Sequence, residues 1–378
     1  MRIALDIVPA QHSIDSGYGR YMYQLVPAIV AADASREYLA ILGENGNEEL
    51  LPRAPNLTIA KCHSRNQNIN QQWYAARAAQ RWGADLLHNM GAPATMLWRK
   101  KLILTIHDIA IVRHPEWFPA RWSTLQNFLY GRLMKKHPYI VTVSEYSKSE
   151  LIEYFHYPAE RIKVVYPIHG FPASAITAED ISRVRARYNL PENYFLYAGV
   201  IEPRKNLVRL VQAFDEYCGT PKDGVSLVIA GKTGWHAAEL KGAIDRSPFR
   251  NRITLPGYIA ERDLYPMMAG ARAFVYPSLY EGFGYPPLEA ILAGTPVLSS
   301  NCSSLPESVG NAGLLVNPTD THAIAQGLHR IDTDEALRVT LKANGMNHHL
   351  KFSAENTVRR VLHLYDELEY IGFESKGS

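Results

Sequence analysis

Residues 139–166 read YIVTVS (139–144), EYSKSELIEYF (145–155), HYPAERI (156–162) and KVVY (163–166). The first and last of these segments are short, apolar and rich in β-branched residues, which is typical of buried strands. The second segment has the length and mixed polarity of an amphipathic helix. A strand, a helix and a second strand in succession predict a parallel pair, because strands joined through a helix run in the same direction.

The same alternation continues in both directions along the chain. We predict seven strands in the first half and six in the second, at Arg2–Val8, Tyr38–Gly43, Leu57–Cys62, Asp85–His88, Lys101–Ile106, Tyr139–Ser144, Lys163–Tyr166, Tyr194–Gly199, Ser226–Gly231, Arg252–Pro256, Arg272–Tyr276, Pro296–Ser299 and Gly313–Asn317. Predicted helices include Arg20–Ala32, Asn70–Trp82 and Glu145–Phe155. This pattern implies parallel sheets covered on both faces, so the predicted fold class is α/β with doubly wound, Rossmann-like sheets.

The alternation is interrupted once, at PIHGFPAS (167–174), where two prolines and a glycine predict a linker. The linker divides the chain into two domains, 1–170 and 171–352, and a final helix at about 353–378 is expected to pack back on the first. Ligands of doubly wound sheets bind outside the carboxyl ends of the strands. With two such domains facing each other, we expect the ligand in the cleft between them.

Composition excludes several classes of protein. Of the 378 residues, 47% are hydrophobic and 20% are charged, which excludes a disordered or fibrous chain. The three cysteines lie far apart, which excludes a disulfide framework and suits a reducing cytosol. A net charge of +3 is too small to indicate nucleic-acid binding. Residues 1–170 carry 19 Lys and Arg against 14 Asp and Glu, so the first half is the one expected to meet an anionic surface.

The apolar runs of the sequence indicate neither a secretory signal nor a membrane span. The opening run MRIALDIVP is short and is interrupted by Asp6. No run approaches the roughly 20 apolar residues that cross a bilayer. We therefore expect a soluble or peripheral protein of the cytoplasm.

Two motifs follow predicted strands of the first domain. Gly17 and Gly19 stand just before a helix, where glycine amides and the helix amino terminus can receive an anion. The motif lacks the third glycine of a dinucleotide fingerprint, so a plain tight turn remains an alternative. His107 and Asp108 follow the strand Lys101–Ile106, where His107 could bind a sugar hydroxyl or simply pair with Asp108 or with backbone.

The run EPRKN (202–206) follows the strand Tyr194–Gly199 and opens a helix. Two adjacent cations, Arg204 and Lys205, are electrostatically unfavourable there, because the helix dipole prefers anions at its amino terminus. A bound phosphate would balance them, since arginine makes bidentate contacts and lysine supplies a point charge. We predict diphosphate binding here in preference to a solvated basic turn.

The run EGFGYPPLEA (281–290) follows the strand Arg272–Tyr276. Its glycines expose backbone amides, and its prolines suit the start of a helix. Glu281 precedes that helix and Glu289 lies within it, so both carboxylates can face one site. There they could accept hydrogen bonds from sugar and ribose hydroxyls, and a pair of solvated glutamates is the alternative.

The sequence predicts neither a metal site nor another cofactor. The run DTD (332–334) matches an Asp-x-Asp pattern that holds divalent cations in another transferase class. It stands between two helices with Glu335 three residues after Asp332, so we interpret it as a capping box. The 14 histidines have no spacing that suggests zinc.

Taken together, the motifs resemble those of retaining glycosyltransferases of family 4, which have the GT-B fold of two Rossmann-like domains. The resemblance covers most of the chain and is densest from Tyr197 to Asp320. Its marks there are PRKN (203–206), IAG (229–231), the Glu-x7-Glu element 281–289 and SSLPE (303–307). Many relatives carry Asn-Gly after the last strand of the first domain, and this chain has YPIHG (166–170) instead.

This resemblance implies roles for the matching residues. Arg204 and Lys205 would bind the donor diphosphate, Glu289 the ribose and Glu281 the donor sugar, while His107 would contact the sugar near its reacting face. The predicted donor-binding set is Gly17, Gly19, Arg204, Lys205, Gly231, Tyr258, Ile259, Glu281, Phe283, Gly284, Tyr285 and Glu289. The predicted catalytic set is His107, Glu281, Arg204 and Lys205.

The family pattern also implies the chemistry. An α-linked donor would give an α-linked product by front-face attack, with the leaving phosphate assisting deprotonation of the acceptor. Fixed cations at the leaving diphosphate could replace a metal ion.

The residues of three motifs suggest which sugar is transferred. VIEPRKN (200–206), GKTGW (231–235) and PSLYEGFG (277–284) look most like bacterial mannosyltransferases of O-antigen and exopolysaccharide assembly. We therefore predict GDP-mannose as the donor and a lipid-linked saccharide at the cytoplasmic face of the inner membrane as the acceptor. Aromatic and basic residues at 117–136 would suit contact with an anionic membrane, or equally a half-buried helix with a solvated basic face.

Three other functions remain open. A glycoside hydrolase could use Glu281 and Glu289 as its carboxylate pair and would release free sugar without a nucleotide. A nucleotide-sugar epimerase of the GT-B fold would give a product that keeps its nucleotide. A non-catalytic binding module would bind the donor without turnover.

Overall fold

A computed structural model describes residues 1–12, 17–64, 69–91, 95–136, 138–169, 176–219, 224–234 and 237–374. The chain divides into two compact units, Met1–Gly170 together with Phe352–Ser378, and Phe171–Lys351. Residues 170–174 of the predicted linker (167–174) lie outside the described residues. No helix within the described ranges is both long and apolar enough to cross a lipid bilayer.

Among the described residues of the first unit, seven strands form one parallel sheet. They are β1 (Arg2–Asp6), β2 (Glu37–Leu42), β3 (Leu57–Lys61), β4 (Leu86–Asn89), β5 (Lys101–Ile106), β6 (Tyr139–Thr142) and β7 (Ile162–Val164). Their order across the sheet is β3-β2-β1-β4-β5-β6-β7. The helices between them are α1 (Gly17–Ala32), α2 (Ala75–Trp82), α3 (Ala110–Arg113), α4 (Ala120–Met134) and α5 (Glu145–Phe155).

The central strands of this sheet are covered on both faces. In β1 the consecutive residues Ile3, Ala4 and Leu5 are all fully buried, although their side chains point alternately to opposite faces. This explains why the strands read as continuous apolar runs rather than as alternating ones.

In the part of the second unit that the structure describes, six strands form another parallel sheet. They are β8 (Tyr194–Ala198), β9 (Ser226–Ala230), β10 (Ile253–Gly257), β11 (Ala273–Tyr276), β12 (Val297–Ser300) and β13 (Gly313–Val316). Their order is β10-β9-β8-β11-β12-β13. The helices of this unit are α6 (Ala178–Arg187), α7 (Leu207–Cys218), α8 (Ala237–Arg246), α9 (Glu261–Ala269), α10 (Tyr285–Leu292), α11 (Leu305–Val309), α12 (Thr321–Thr333) and α13 (Glu335–His348).

The last helix, α14 (Ala354–Glu374), belongs to the first unit. The Arg36 guanidinium donates to Asp366 at 2.5 Å and to Glu369 at 2.8 Å. In the interior, the His88 Nδ1 lies 2.7 Å from the Tyr365 hydroxyl oxygen. Part-buried ion pairs and a buried hydrogen bond therefore hold α14 on this unit.

The predicted fold class is confirmed, and each of the thirteen predicted strands has a counterpart within a few residues. Helix α5 has the predicted bounds, whereas the predicted helix at Asn70–Trp82 begins with a wider π-helical turn, Asn70–Tyr74, before α2. In that turn the Gln72 carbonyl accepts a hydrogen bond from the Thr95 hydroxyl at 2.6 Å. A carbonyl engaged by a distant side chain favours such a departure from the α-helical ladder.

Candidate functional site

The carboxyl ends of β8 and β11 bring the predicted cations and one predicted carboxylate together, because these two strands are neighbours in the sheet. After β8, a short 3₁₀ turn (Pro203–Lys205) leads to Asn206, whose φ of +62° is left-handed, and α7 follows. The Asn206 side-chain amide donates to the carbonyl oxygens of Pro277 at 3.1 Å and Pro318 at 2.7 Å. These bonds tie the cationic turn to the loops that follow β11 and β13.

The Lys205 side chain is buried at the carboxyl ends of these two strands. Its Nζ donates to the Glu281 Oε1 at 2.5 Å and to the Tyr276 hydroxyl oxygen at 2.9 Å. The ammonium also lies 5.3 Å from the centroid of the Tyr276 ring, which stacks at 5.5 Å on the ring of Tyr197. The lysine is therefore fixed by an anion and by a hydroxyl.

Arg204 completes the same cluster on its more exposed side. Its Nε donates to the Glu202 Oε1 at 2.5 Å, and its Nη1 donates to the Glu281 Oε2 at 2.8 Å. The Arg204 side chain is 20% exposed, against 6% for Lys205 and 8% for Glu281. An anion that approaches from solvent therefore meets the guanidinium first.

Glu281 is ionised in this environment. Burial alone would raise the pKa of its carboxyl, but the neighbouring Arg204 and Lys205 cations and the Ser278 hydroxyl outweigh burial and lower the pKa to about 2. The Ser278 Oγ donates to the Glu281 Oε1 at 2.8 Å. For Lys205, burial and the charge of Arg204 lower the pKa of the ammonium, and Glu281 acts in the opposite direction.

Arg204 and Lys205 do not depend on a bound phosphate for charge balance, contrary to the prediction, because Glu202 and Glu281 already pair with them. Glu281 was predicted to bind sugar hydroxyls, yet both of its carboxylate oxygens are engaged by the two cations.

The glycine-rich loop after β11 places the next group of predicted residues. Gly284 has a φ of +94°, and a Cβ at this position would come within 2.7 Å of the Leu305 Cδ2, so only glycine fits. Helix α10 begins at the following residue, Tyr285, and Phe283 is buried. Glu289 is also buried, in the middle of α10. Its contact with ribose stays a prediction.

Gly231, Tyr258 and Ile259 lie at the same edge of the sheet, after β9 and β10. A Cβ on Gly231 would lie 1.7 Å from the Gly199 carbonyl oxygen, so the two loops approach as closely as backbone allows. The Lys232 Nζ lies 4.5 Å from the centroid of the Tyr258 ring. Tyr258 is half exposed, and Ile259 is buried. A flat, partly exposed ring beside a cation can stack on a base.

The remaining predicted residues belong to the first unit. Gly17 and Gly19 lie in the first turn of α1, and residues 13–16 of their motif lie outside the described residues. His107 follows β5, with its Nε2 3.2 Å from the Met90 carbonyl oxygen and its ring 4.2 Å from that of Tyr18. Burial lowers the pKa of His107 to about 4 despite the bond to Met90, so the imidazole is neutral at pH 7.

The predicted cap in the run at 332–334 was assigned to the wrong residue. The Asp334 Oδ1 accepts the Leu337 backbone N–H at 2.8 Å and so caps α13. Asp332 is buried and accepts from Arg272 at 3.1 Å and from the Tyr217 hydroxyl at 2.9 Å. Across the ranges that the structure describes, no group of three or more His, Cys, Asp or Glu side chains could hold a metal ion.

Two family models match the chain in order. The model described as "Glycosyltransferase Family 4" matches residues 16–168, and the one described as "Glycosyl transferases group 1" matches residues 179–348. The O-antigen chain mannosyltransferase B of Escherichia coli is 32% identical over 97% of this chain and 99% of its own length. The chain belongs to glycosyltransferase family 4. The predicted resemblance is thus confirmed.

Other similar proteins agree with this assignment. The serotype-specific mannosyltransferase WbdA of Escherichia coli is 32% identical over 69% of this chain, and the match spans 33% of its own length. Among solved structures, a sucrose-phosphate synthase from Thermosynechococcus elongatus superposes with a TM-score of 0.78, covering 98% of this chain and all of that one, at 21% identity. That likeness shows the fold of this glycosyltransferase.

Sequence reasoning missed three residues that shape the cation cluster of this glycosyltransferase. Glu202 and Tyr276 contact the cations directly, and Ser278 holds the carboxylate between them. Glu202 carried a signal, since it stands two residues before Arg204. Tyr276 and Ser278 carried none, because an aromatic at a strand end and a serine after a proline are common in such loops.

Proposed function

We propose that this glycosyltransferase transfers mannose from GDP-mannose to a lipid-linked saccharide acceptor, with retention of configuration and without a metal ion. The observation that carries the proposal is the pair of buried or half-buried cations, Arg204 and Lys205, fixed at the carboxyl ends of adjacent parallel strands. Full-length similarity to an O-antigen chain mannosyltransferase supports the choice of sugar.

The cations supply the chemistry that the leaving group needs. When the bond between mannose and the diphosphate breaks, negative charge accumulates on the diphosphate, and positive charges that are already in position stabilise it without reorganisation. Lys205 is held in place by Glu281 and Tyr276 and needs no folding of a loop to reach its position. Because two fixed cations serve the leaving group, turnover is expected to continue in excess EDTA.

The state of Glu281 supports front-face attack rather than a covalent intermediate. The cations paired with both oxygens of Glu281 withdraw charge from the carboxylate and make it a weaker nucleophile. The same state disfavours Glu281 as the general acid of a glycoside hydrolase, because a general acid needs a raised pKa and that of Glu281 is lowered to about 2. Gly17, Gly19, His107, Gly231, Tyr258, Ile259, Phe283, Gly284, Tyr285 and Glu289 stay predictions for the same donor.

Helix α4 supports a peripheral contact with an anionic membrane at the cytoplasmic face. Trp122, Leu125 and Phe128 are 48%, 46% and 57% exposed, and their spacing of three residues places them along one side of the helix. The Arg132 guanidinium lies 5.1 Å from the centroid of the Phe128 ring. Exposed apolar side chains beside cations suit the interface of an anionic bilayer, where a lipid-linked acceptor would be found.

The donor is tested by calorimetry with GDP-mannose, GDP, UDP-glucose and UDP, followed by transfer assays from GDP-mannose to a lipid-linked saccharide fraction. We expect guanine nucleotides to bind more tightly than uracil nucleotides and the product to be α-linked by NMR. Preferential binding of UDP-sugars would contradict the donor assignment, a β-linked product would contradict retention, and release of free mannose alone would contradict transfer. A product that keeps its nucleotide would identify the epimerase.

Membrane contact is tested separately by sedimentation with vesicles of zwitterionic phospholipid, with and without added anionic phospholipid. The variant Trp122→Ser/Phe128→Ser should sediment less than the unmodified protein while its GDP affinity is unchanged. Equal sedimentation of both proteins would dispose of the membrane contact and leave the transferase proposal intact.

A further inference from the structure

The cation cluster contains equal numbers of positive and negative side chains. Arg204 and Lys205 supply the positive charges, and the carboxylates of Glu202 and Glu281 supply the negative ones. A diphosphate that binds to these cations therefore either displaces a carboxylate or stays close to two like charges. Because like charges in a buried site repel strongly, displacement of one carboxylate is favoured.

The two carboxylates are not held equally. Glu281 is fixed by both cations, and its backbone and side chain also bond to neighbouring serines, with the Ser304 hydroxyl donating to its carbonyl oxygen at 2.8 Å. The described contacts of the Glu202 carboxylate are with cations, namely 2.5 Å to the Arg204 Nε and 3.7 Å to the Lys205 Nζ. Glu202 is therefore the carboxylate that a diphosphate can replace at least cost.

We propose that Glu202 is an internal counter-anion of the diphosphate site, which holds the Arg204 guanidinium until the nucleotide diphosphate takes its place. The proposal rests on the assignment of Arg204 and Lys205 to the donor diphosphate. In this role Glu202 positions Arg204 before binding, and its charge limits the affinity for the diphosphate product. It is a positioning residue that acts through Arg204, and it makes release of the product faster.

This role predicts that a substitution which removes the charge of Glu202 strengthens diphosphate binding instead of weakening it. Glu202→Gln keeps an oxygen that can accept from the Arg204 Nε but removes the negative charge beside the site. A nucleotide diphosphate should then bind more tightly, whereas loss of a purely structural contact would leave binding unchanged or weaken it. One unit charge at about 6–8 Å across a medium of effective dielectric about 20–40 corresponds to a change in affinity of roughly 6- to 100-fold, so about tenfold is a conservative expectation.

The experiment measures binding of GDP, inorganic pyrophosphate and guanosine by calorimetry to the full chain. Glu202→Gln should bind GDP and pyrophosphate on the order of tenfold more tightly than the unmodified protein, with guanosine unchanged. Glu202→Asp restores the charge and should return both affinities to within about twofold. Glu192→Gln is the matched control, because Glu192 is an exposed acid of the same unit that precedes β8 and so lies at the opposite edge of the sheet.

Unchanged or weaker GDP binding by folded Glu202→Gln, while Arg204→Ala weakens it, would overturn the counter-anion role and leave the diphosphate site intact. An equal gain in Glu192→Gln would also overturn it, since the effect would then belong to net charge. Failure of the unmodified protein to bind GDP and pyrophosphate would remove both this proposal and the proposed function. If Glu202→Gln does not fold, Glu202→Ala makes the same charge change and carries the same expectation.

Discussion

Lys205→Met removes the ammonium group but keeps an unbranched side chain that fills similar space. In the structure this ammonium lies 2.5 Å from the Glu281 Oε1 and 2.9 Å from the Tyr276 hydroxyl oxygen, so it is already in position for an anion. A hydrogen bond between a charged group and a diphosphate oxygen contributes about 1.5–3 kcal/mol, which corresponds to roughly 10- to 150-fold in affinity. We expect calorimetry to show this loss for GDP and no loss for guanosine.

The same substitution also breaks a buried ion pair, so stability must be measured beside binding. Removing one member of such a pair costs about 3–5 kcal/mol, although Arg204 and Ser278 still contact Glu281 in the variant. Urea unfolding should show this loss, and GDP binding should be measured well below the transition. Lys241→Met, on the exposed side of α8, is the control and should change neither quantity. If folded Lys205→Met binds GDP within about twofold of the unmodified protein, the Lys205 ammonium does not contact the diphosphate.

Three further predictions concern the same edge of the sheet. Because the pKa of Glu281 is lowered to about 2, its ionisation stabilises the fold above pH 4.5 or so, and this contribution, on the order of 3 kcal/mol, disappears as the pH falls toward 2. The free energy of unfolding, measured in urea at pH 5 and pH 3, should therefore change less with pH in Glu281→Gln than in the unmodified protein. An equal change in both proteins would contradict the lowered pKa of Glu281. Tyr276→Phe removes one hydrogen bond to Lys205 while keeping the ring, so GDP binding should weaken by about 1 kcal/mol, and an unchanged isotherm would show that the hydroxyl is dispensable. Gly231→Ala would place a Cβ 1.7 Å from the Gly199 carbonyl oxygen, so thermal unfolding should reveal a loss of about 3 kcal/mol or more, and a variant as stable as the parent would disprove the close approach.

The strands could be predicted from the sequence because they lie in the interior of two parallel sheets. Consecutive buried residues such as Ile3, Ala4 and Leu5 produce apolar runs that no surface segment imitates. The helix α3, Ala110–Arg113, could not be predicted, because four residues make only about one turn and an apolar pattern cannot repeat within it. The π turn at Asn70–Tyr74 includes a carbonyl bound by a hydroxyl more than twenty residues away, a contact that no local pattern indicates.

The cation cluster shows where sequence reasoning ends. Arg204 and Lys205 could be selected because their placement after a strand is electrostatically unusual, but the pairing of both cations with Glu281 could not be predicted. Glu281 is 76 residues from Lys205, and only the adjacency of β8 and β11 brings them into contact. A pattern in sequence records which charges exist, whereas their pairing depends on the order of strands in the sheet.

The most direct test of the diphosphate site is a crystal structure of this glycosyltransferase with GDP. The account predicts oxygens of the diphosphate within about 3 Å of the Arg204 guanidinium and the Lys205 ammonium, the distance of charge-assisted hydrogen bonds. A diphosphate bound elsewhere, with the Arg204 guanidinium still paired with Glu202, would contradict this prediction.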